Sequence, residues 1–440
     1  MQKNSDLVKQ DSFSVIRQQK VLIVRLLNEI SVINNNGSNL IESFKHFILL
    51  LELKKDFDSP KEYYELYIEV YDVLTILLNY LTANHLKLFH LTDIYELIQY
   101  SNNLVPRLYL LITCGVAMLN FETFPQSEIL KDMIEMLNGV QHPIKGMFLR
   151  YYLLQRCKFI FNDEKRVVTN EFKIDFLIAN FIEMNKLWIR LQYQGQLREK
   201  SSKLKERKEV ELLIGYNLVQ LTEVLDLEEH SLALKLYREN TLPRILKQVI
   251  SCRDIISQEY LLDILFQIFP ESFHCDLTCI DLYLGSFLKL TPKTNISKSV
   301  VTLIEQILSQ ADQNKEENNK NTLDGGILFD KILKLRLDCL DAVFSFINFK
   351  KKDYAITDEI NFLLKRVFFS IKDDIELDST LPYSLLVECP NVNEFLLNSG
   401  SDFIRYEMLD MIIKYRIQDK SQIPLKDLSR LLKHFETNSY

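Results

Sequence analysis

Turn-forming residues are scarce in this chain. Of its 440 residues, 10 are Gly and 10 are Pro. Average glycine usage is about 7%, so a sandwich, a barrel or a doubly wound sheet, each needing frequent tight turns, is excluded. Ala is also sparse, and the apolar content rests on Leu, Ile, 27 Phe and 20 Tyr. There is no excess of basic charge. The formal net charge is -7, with both signs interspersed. That excludes the basic face of a nucleic-acid binder and gives no general attraction to anionic lipid. Long apolar runs are missing too. The longest such window, Leu104 to Leu119, has 16 residues and contains Pro106 and Arg107, whereas a spanning helix needs ~20. The N-terminus, MQKNSDLVKQDS, has no apolar signal core, so the chain is expected to begin in the cytosol. Seven Cys at irregular spacing fit reduced thiols better than a disulfide framework.

Catalytic motifs are absent as well. No G-x-x-x-x-G-K-[ST] and no G-x-G-x-x-G occurs to cradle phosphate. No H-E-x-x-H and no nucleophile elbow occurs. His274, Cys275 and Cys279 form the nearest approach to a metal set, since zinc accepts such ligands. No second pair stands at zinc-site spacing, so they read as buried structural side chains. His85 and His90 would not share a helix face, and His142 precedes Pro143 in a turn. No catalytic residue, metal or cofactor is expected, and the chain is read as a non-enzyme that works through its surface.

What the chain does have is helical periodicity. Ser59-Pro60-Lys61-Glu62 combines an N-cap Ser, a Pro at the first helical position and a Glu three residues on. Tyr63, Leu66, Tyr67, Val70, Leu74, Leu77, Leu78 and Leu81 then share one face. Glu62, Glu65, Glu69 and Asp72 line the other, read as a solvated face. Further helical windows run over 13–33, 40–53, 129–137, 144–161, 171–194, 210–226, 242–269, 300–311, 327–348, 359–371 and 403–415. Consecutive helices with short links favour antiparallel neighbours. A long, single-class helical chain favours stacked repeats, here without a fixed period. The expected fold is all-α, a HEAT-like α-solenoid of antiparallel helix pairs. Residues 1–12 are expected to be a flexible tail and 13–440 one solenoid, with a short polar loop at 34–39 and a mobile polar loop at 312–326. The charged stretch Gln196 to Glu211 reads as an exposed helix extension or a protruding hairpin.

The stretch Asp93 to Gly115, DIYELIQYSNNLVPRLYLLITCG, stands apart. Pro106 suits the first position of a helix, with Asn102 or Asn103 able to cap before it. Arg107 then sits in the first turn, against the positive end of the helix dipole, and it is the only charge between Leu104 and Leu119. A cation so placed needs a carboxylate, carbonyl groups or a partner protein.

These residues also resemble a known family. PRLYLL, preceded by SPKEYYELY at Ser59 to Tyr67, is similar to the N-terminal part of the large helical scaffold subunit of retromer, the endosomal sorting coat. GVQHPIKGMFLRYYLLQ ending at Gln155, EMNKLWIRLQYQG from Glu183 to Gly195, and ISCRDIISQEYLLDILFQIFPESFH from Ile250 to His274 follow in the family's order. From about Asp276 onward the likeness thins. The resemblance implies a coat scaffold that supports cargo retrieval from endosomes to the Golgi. It implies cytoplasmic protein lying peripherally on the endosome membrane, with membrane association indirect. It implies an arrestin-like subunit bound at 13–160, with sorting nexins and a Rab GTPase as further partners. Pro106, Arg107, Leu108, Tyr109 and Leu110 are the implied partner-binding residues, and Arg107 leads them. Alternatively Arg107 meets an internal acid such as Asp93 or Glu96 and the leucines belong to the core. Family members are about twice as long, so the part that would cradle a subunit of metallophosphoesterase fold is expected to be missing. A truncated sequence, a split gene and a reduced coat are all open. The other reading is a generic helical-repeat adaptor that has lost retromer assembly.

Overall fold

The computed structural model describes residues 21, 42, 44–47, 59–86, 90–161, 168–193, 200–318, 337–347 and 391–392. The windows at 359–371 and 403–415, the loop at 34–39, the tail at 1–12 and most of 13–33 and 40–53 lie outside them. The chain divides into two units, Met1–Leu236 and Tyr237–Tyr440.

The first unit is built on α1 (Pro60–Asn84), and its start follows from local chemistry. The Ser59 hydroxyl accepts the Glu62 N–H at 3.4 Å, and Pro60 opens the helix. Tyr63, Leu66, Tyr67, Val70, Val73, Leu74, Leu77, Tyr80 and Leu81 are buried; Leu78 is half-buried, and Glu65 and Asp72 are exposed. This is the one helix among the described residues long and apolar enough to cross a membrane. Its apolar face is instead packed on neighbouring helices and its other face carries four acids, so it is a core helix of this unit.

Next come α2 (Leu91–Gln99), α3 (Leu104–Leu119) and α4 (Gln126–Met136), the last ending in a 3-10 turn at Leu137–Gly139. Then α5 (Pro143–Phe161), α6 (Asn170–Tyr193), α7 (Lys200–Leu225) and α8 (His230–Leu236) complete the unit. A helix apolar all round has to be enclosed, and α3 is: 13 of its 16 residues are buried, with α1, α2, α4 and α5 packed about it. Each large side chain so buried contributes about 1.5–3 kcal/mol. Close approach is secured at Gly115, where an added Cβ would lie 2.8 Å from Met133 Sδ, and at Gly146, where it would lie 2.8 Å from a Leu187 methyl.

Polar groups are threaded through this unit on neutral partners. Arg150, 2% exposed, donates to Asn138 Oδ1 at 2.7 Å and Asn180 Oδ1 at 3.2 Å, and Asn180 donates onward to Asn217 at 2.9 Å. Burial lowers the Arg150 pKa to about 10, which leaves it charged at neutral pH. Arg156 lies over the Tyr71 ring at 4.0 Å and donates to the Tyr71 carbonyl and the Thr75 hydroxyl.

The charged stretch expected to project into solvent does so only in part. Its residues from Lys200 onward form the start of α7, where Glu206 and Arg207 are buried. Arg207 has its guanidinium over Trp188 of α6, so the long arginine stem covers apolar surface.

The second unit holds α9 (Leu242–Ser251), α10 (Ile255–Ile268), the single turn α11 (Glu271–His274), α12 (Leu277–Phe287) and α13 (Ser297–Asn318). A π-turn, Tyr237–Thr241, precedes α9. Pro243 supplies no N–H to the helical ladder, and the wider turn falls just before it. The window expected as one helix over 242–269 is two. Arg253 is in the left-handed region at φ 50°, and Asp254 caps the new helix by accepting the Ser257 N–H at 2.9 Å. The loop expected from residue 312 is also corrected, because α13 runs on to Asn318. Residues 312–318 contain no Gly or Pro, so their polarity alone does not end the helix. Buried Gln258 ties this unit together, donating to the Val249 carbonyl and accepting from the Thr291 N–H and the Thr294 hydroxyl.

Among the described residues the fold class is all-α, as expected from the sequence, and within each unit helices consecutive in the chain pack on one another.

Candidate partner-binding surface

The five residues expected to meet a partner lie at the start of α3, and they do not all face outward. The helix begins at Leu104, so Pro106 is its third residue rather than its first. It still costs no hydrogen bond, because the first four N–H groups of a helix have no internal partner. Asn103 occupies the capping position without a side-chain cap. Pro106, Leu108, Tyr109 and Leu110 are buried. Tyr109 packs edge-on against Tyr152 of α5 at 5.2 Å, and its carbonyl accepts from the Thr113 hydroxyl at 2.7 Å. Burial drives the Tyr109 phenol far above its ordinary pKa, so it stays a neutral core group.

Arg107 differs from these four. It is half-buried, and its guanidinium donates to the Ser101 carbonyl at 3.1 Å. The acceptor is therefore a backbone oxygen of the preceding turn, not Asp93 or Glu96, and both of those acids are exposed on α2. A carbonyl so placed also answers the dipole problem, since it puts negative partial charge beside a cation in a helix's first turn.

That turn presents a feature absent from the sequence expectations. The Tyr100 N–H bonds the Leu97 carbonyl at 3.3 Å and the Ser101 N–H bonds the Ile98 carbonyl at 3.0 Å, closing α2. Tyr100 is left 83% exposed, with Leu97 38% and Leu104 36% exposed beside it in sequence. The signal in the sequence is an aromatic residue just before Ser-Asn-Asn, at a place where the apolar period of α2 has already ended.

The second unit holds the other candidate, and it reads as structure. His274 is fully buried, and its Nδ1 shares a 2.7 Å hydrogen bond with the Tyr283 hydroxyl, which bonds Tyr237 at 2.7 Å in turn. Burial lowers the His274 pKa to about 4. Burial likewise raises the Cys279 thiol to about 12, away from a ligating thiolate. Among the described residues no group of three or more His, Cys, Asp or Glu side chains is placed to hold a metal ion. The six described cysteines are all free thiols.

The chain can be placed among known proteins. The family described as vacuolar protein sorting-associated protein 35 matches residues 9–437. The protein of that name from Schizosaccharomyces pombe is 34% identical over 338 residues, covering 75% of this chain and 38% of that relative. Vacuolar protein sorting-associated protein 35A of Arabidopsis thaliana is 36% identical over 291 residues, covering 64% and 36%. The Dictyostelium discoideum protein is 35% identical over 305 residues, covering 68% and 38%. Each match thus spans less than two-fifths of the relative's own length. With nearly the whole of its length matched, the chain belongs to the vacuolar protein sorting-associated protein 35 family.

Proposed function

We propose that this chain is a scaffold subunit of the retromer endosomal sorting coat and that its first unit binds an arrestin-like subunit. In this reading it has no enzymatic role. It works in the cytoplasm, peripherally on the endosome membrane, in the retrieval of cargo from endosomes to the Golgi. Sorting nexins and a Rab GTPase are its further partners. The observation that carries the reading is family membership over residues 9–437. The placement of Arg107 at the surface end of an otherwise buried helix supports it.

The test is calorimetry of the purified chain with the arrestin-like subunit of the same organism, wild type beside Arg107→Glu. Wild type should bind. Arg107→Glu sets a carboxylate against the Ser101 carbonyl and should weaken binding more than tenfold with helical content unchanged. A wild-type chain that captures neither this subunit nor the one of metallophosphoesterase fold would overturn the proposal and leave the adaptor reading.

A further inference from the structure

We infer that Cys275 and Cys339 of the second unit are a redox pair, two free thiols that a hydroperoxide closes into a disulfide. They stand 64 residues apart in the chain and meet in space, where the Cys339 thiol donates to the Cys275 carbonyl at 3.6 Å. Cys275 follows the single turn α11, and Cys339 lies in the helical residues 337–347. The Cys275 sulfur is also near enough for its charge to bear on the Cys339 thiol. A disulfide asks for Cα atoms within about 7 Å of each other, and a sulfur resting on the other cysteine's own backbone oxygen is a sign of that nearness. In the open state the Cys275 sulfur is turned to the Gln306 carbonyl of α13 at 3.7 Å. Rotation about its Cα–Cβ bond, from one staggered position to another, is the movement that closes the bridge. Cys279, the third thiol here, is directed elsewhere: it donates to Asp276 Oδ2, at the start of its own helix, at 3.9 Å.

The two thiols have different parts. Cys275 is half-buried and Cys339 is fully buried, so the oxidant meets Cys275 first. Its sulfur attacks one peroxide oxygen, the O–O bond breaks, and a sulfenic acid and one water result. The Cys339 sulfur then attacks the Cys275 sulfur. The S–S bond forms, the S–O bond breaks, and the hydroxyl leaves with the Cys339 proton as a second water. The thiols together give up two electrons and two protons, and the peroxide takes up both. Burial, and after it the charges of Cys275, Asp338, Asp276 and Asp281, push the Cys339 thiol upward. A thiol so held is a poor first nucleophile, so Cys339 stays reduced until an oxidised sulfur is set beside it. Once made, the bridge ties residues 337–347 to the turn between α11 and α12, and a cross-link over so long a loop stabilises by restricting the unfolded chain.

The test is mass spectrometry of the full chain after treatment with hydrogen peroxide, with remaining thiols then blocked by N-ethylmaleimide in urea. Wild type should lose two hydrogens and yield one cross-linked peptide pair holding Cys275 and Cys339, which dithiothreitol separates. Cys279→Ser should keep that bridge and Cys275→Ser should abolish it. The thermal midpoint of oxidised wild type should stand about 3 °C or more above that of the reduced protein, and peroxide should give Cys275→Ser no such rise. The peptide map of wild type needs no variant to fold. A bridge from Cys275 to Cys279, a sulfinic acid at Cys275 beside a Cys339 that still takes the blocking reagent, or no loss of hydrogens at all would each overturn the inference.

Discussion

Trp188 on α6 donates its indole N–H to the backbone carbonyl of Arg207 on α7 at 2.9 Å, while the Arg207 guanidinium lies over the same ring at 4.3 Å. The two helices are joined at this point by that hydrogen bond, by the cation–π contact, and by the Arg207 guanidinium donating to the Gln192 side chain of α6. A desolvated contact of the second kind is worth about 2 kcal/mol. Arg207→Met keeps the long apolar stem and removes the charge, so it should destabilise the first unit by about 1–2 kcal/mol. The chain has 1 Trp, so its fluorescence during urea unfolding reports this junction directly. An unchanged midpoint in that titration would show the stacking to be incidental.

Two glycines in helices should answer differently to the same change. Gly→Ala in a helix gains about 1 kcal/mol of propensity, while overpacking costs about 1–3 kcal/mol. At Gly115 the new methyl meets chiefly the sulfur of flexible Met133, which can swing aside. At Gly146 it meets Leu187 at 2.8 Å and the Val140 backbone carbonyl at 3.3 Å, and the carbonyl cannot yield. Gly115→Ala should therefore be near neutral, and Gly146→Ala should destabilise by about 1–2 kcal/mol. Thermal melts of the two variants side by side decide it, and equal shifts would refute the distinction.

His274 makes the second unit sensitive to acid in a defined direction. Its folded pKa is about 4, below its ordinary 6.5, because burial disfavours the imidazolium. The unfolded chain therefore takes up the proton first as pH falls. The stabilising term is fully present above about 6.5 and is lost progressively down to about 4, at up to about 1.4 kcal/mol per pH unit. Relative to His274→Gln, wild type should lose stability between pH 6.5 and 5 in urea titrations followed by circular dichroism. Parallel pH profiles for the two proteins would remove His274 as the cause.

Much of this architecture is legible in the order of the amino acids, and the reasons are local. The Ser59 cap, Pro60 and the apolar face of α1 are neighbours in sequence, and the structure joins them as spacing requires. The end of α13 is less legible, because polar composition suggests a loop there while no helix breaker stands to enforce one. The burial of Arg207 is hidden because what covers it, Trp188, comes from another helix. The partner of Arg107 is illegible for a different reason. Its acceptor is a peptide oxygen, and every residue has one, so no side-chain pattern can single out Ser101.

Arg107, Arg150 and Arg156 share a property with a consequence of its own. Among the described residues, the oxygens that accept from them are uncharged: the Ser101 carbonyl, the Asn138 and Asn180 amides, and the Tyr71 carbonyl with the Thr75 hydroxyl. An arginine clasped by a carboxylate is released when that carboxylate takes up a proton, and added ions weaken its hold. Carbonyls, amides and hydroxyls do not change charge in that way. The first unit can thus keep these three arginines anchored through swings of acidity and ionic strength that would loosen a lattice of ion pairs.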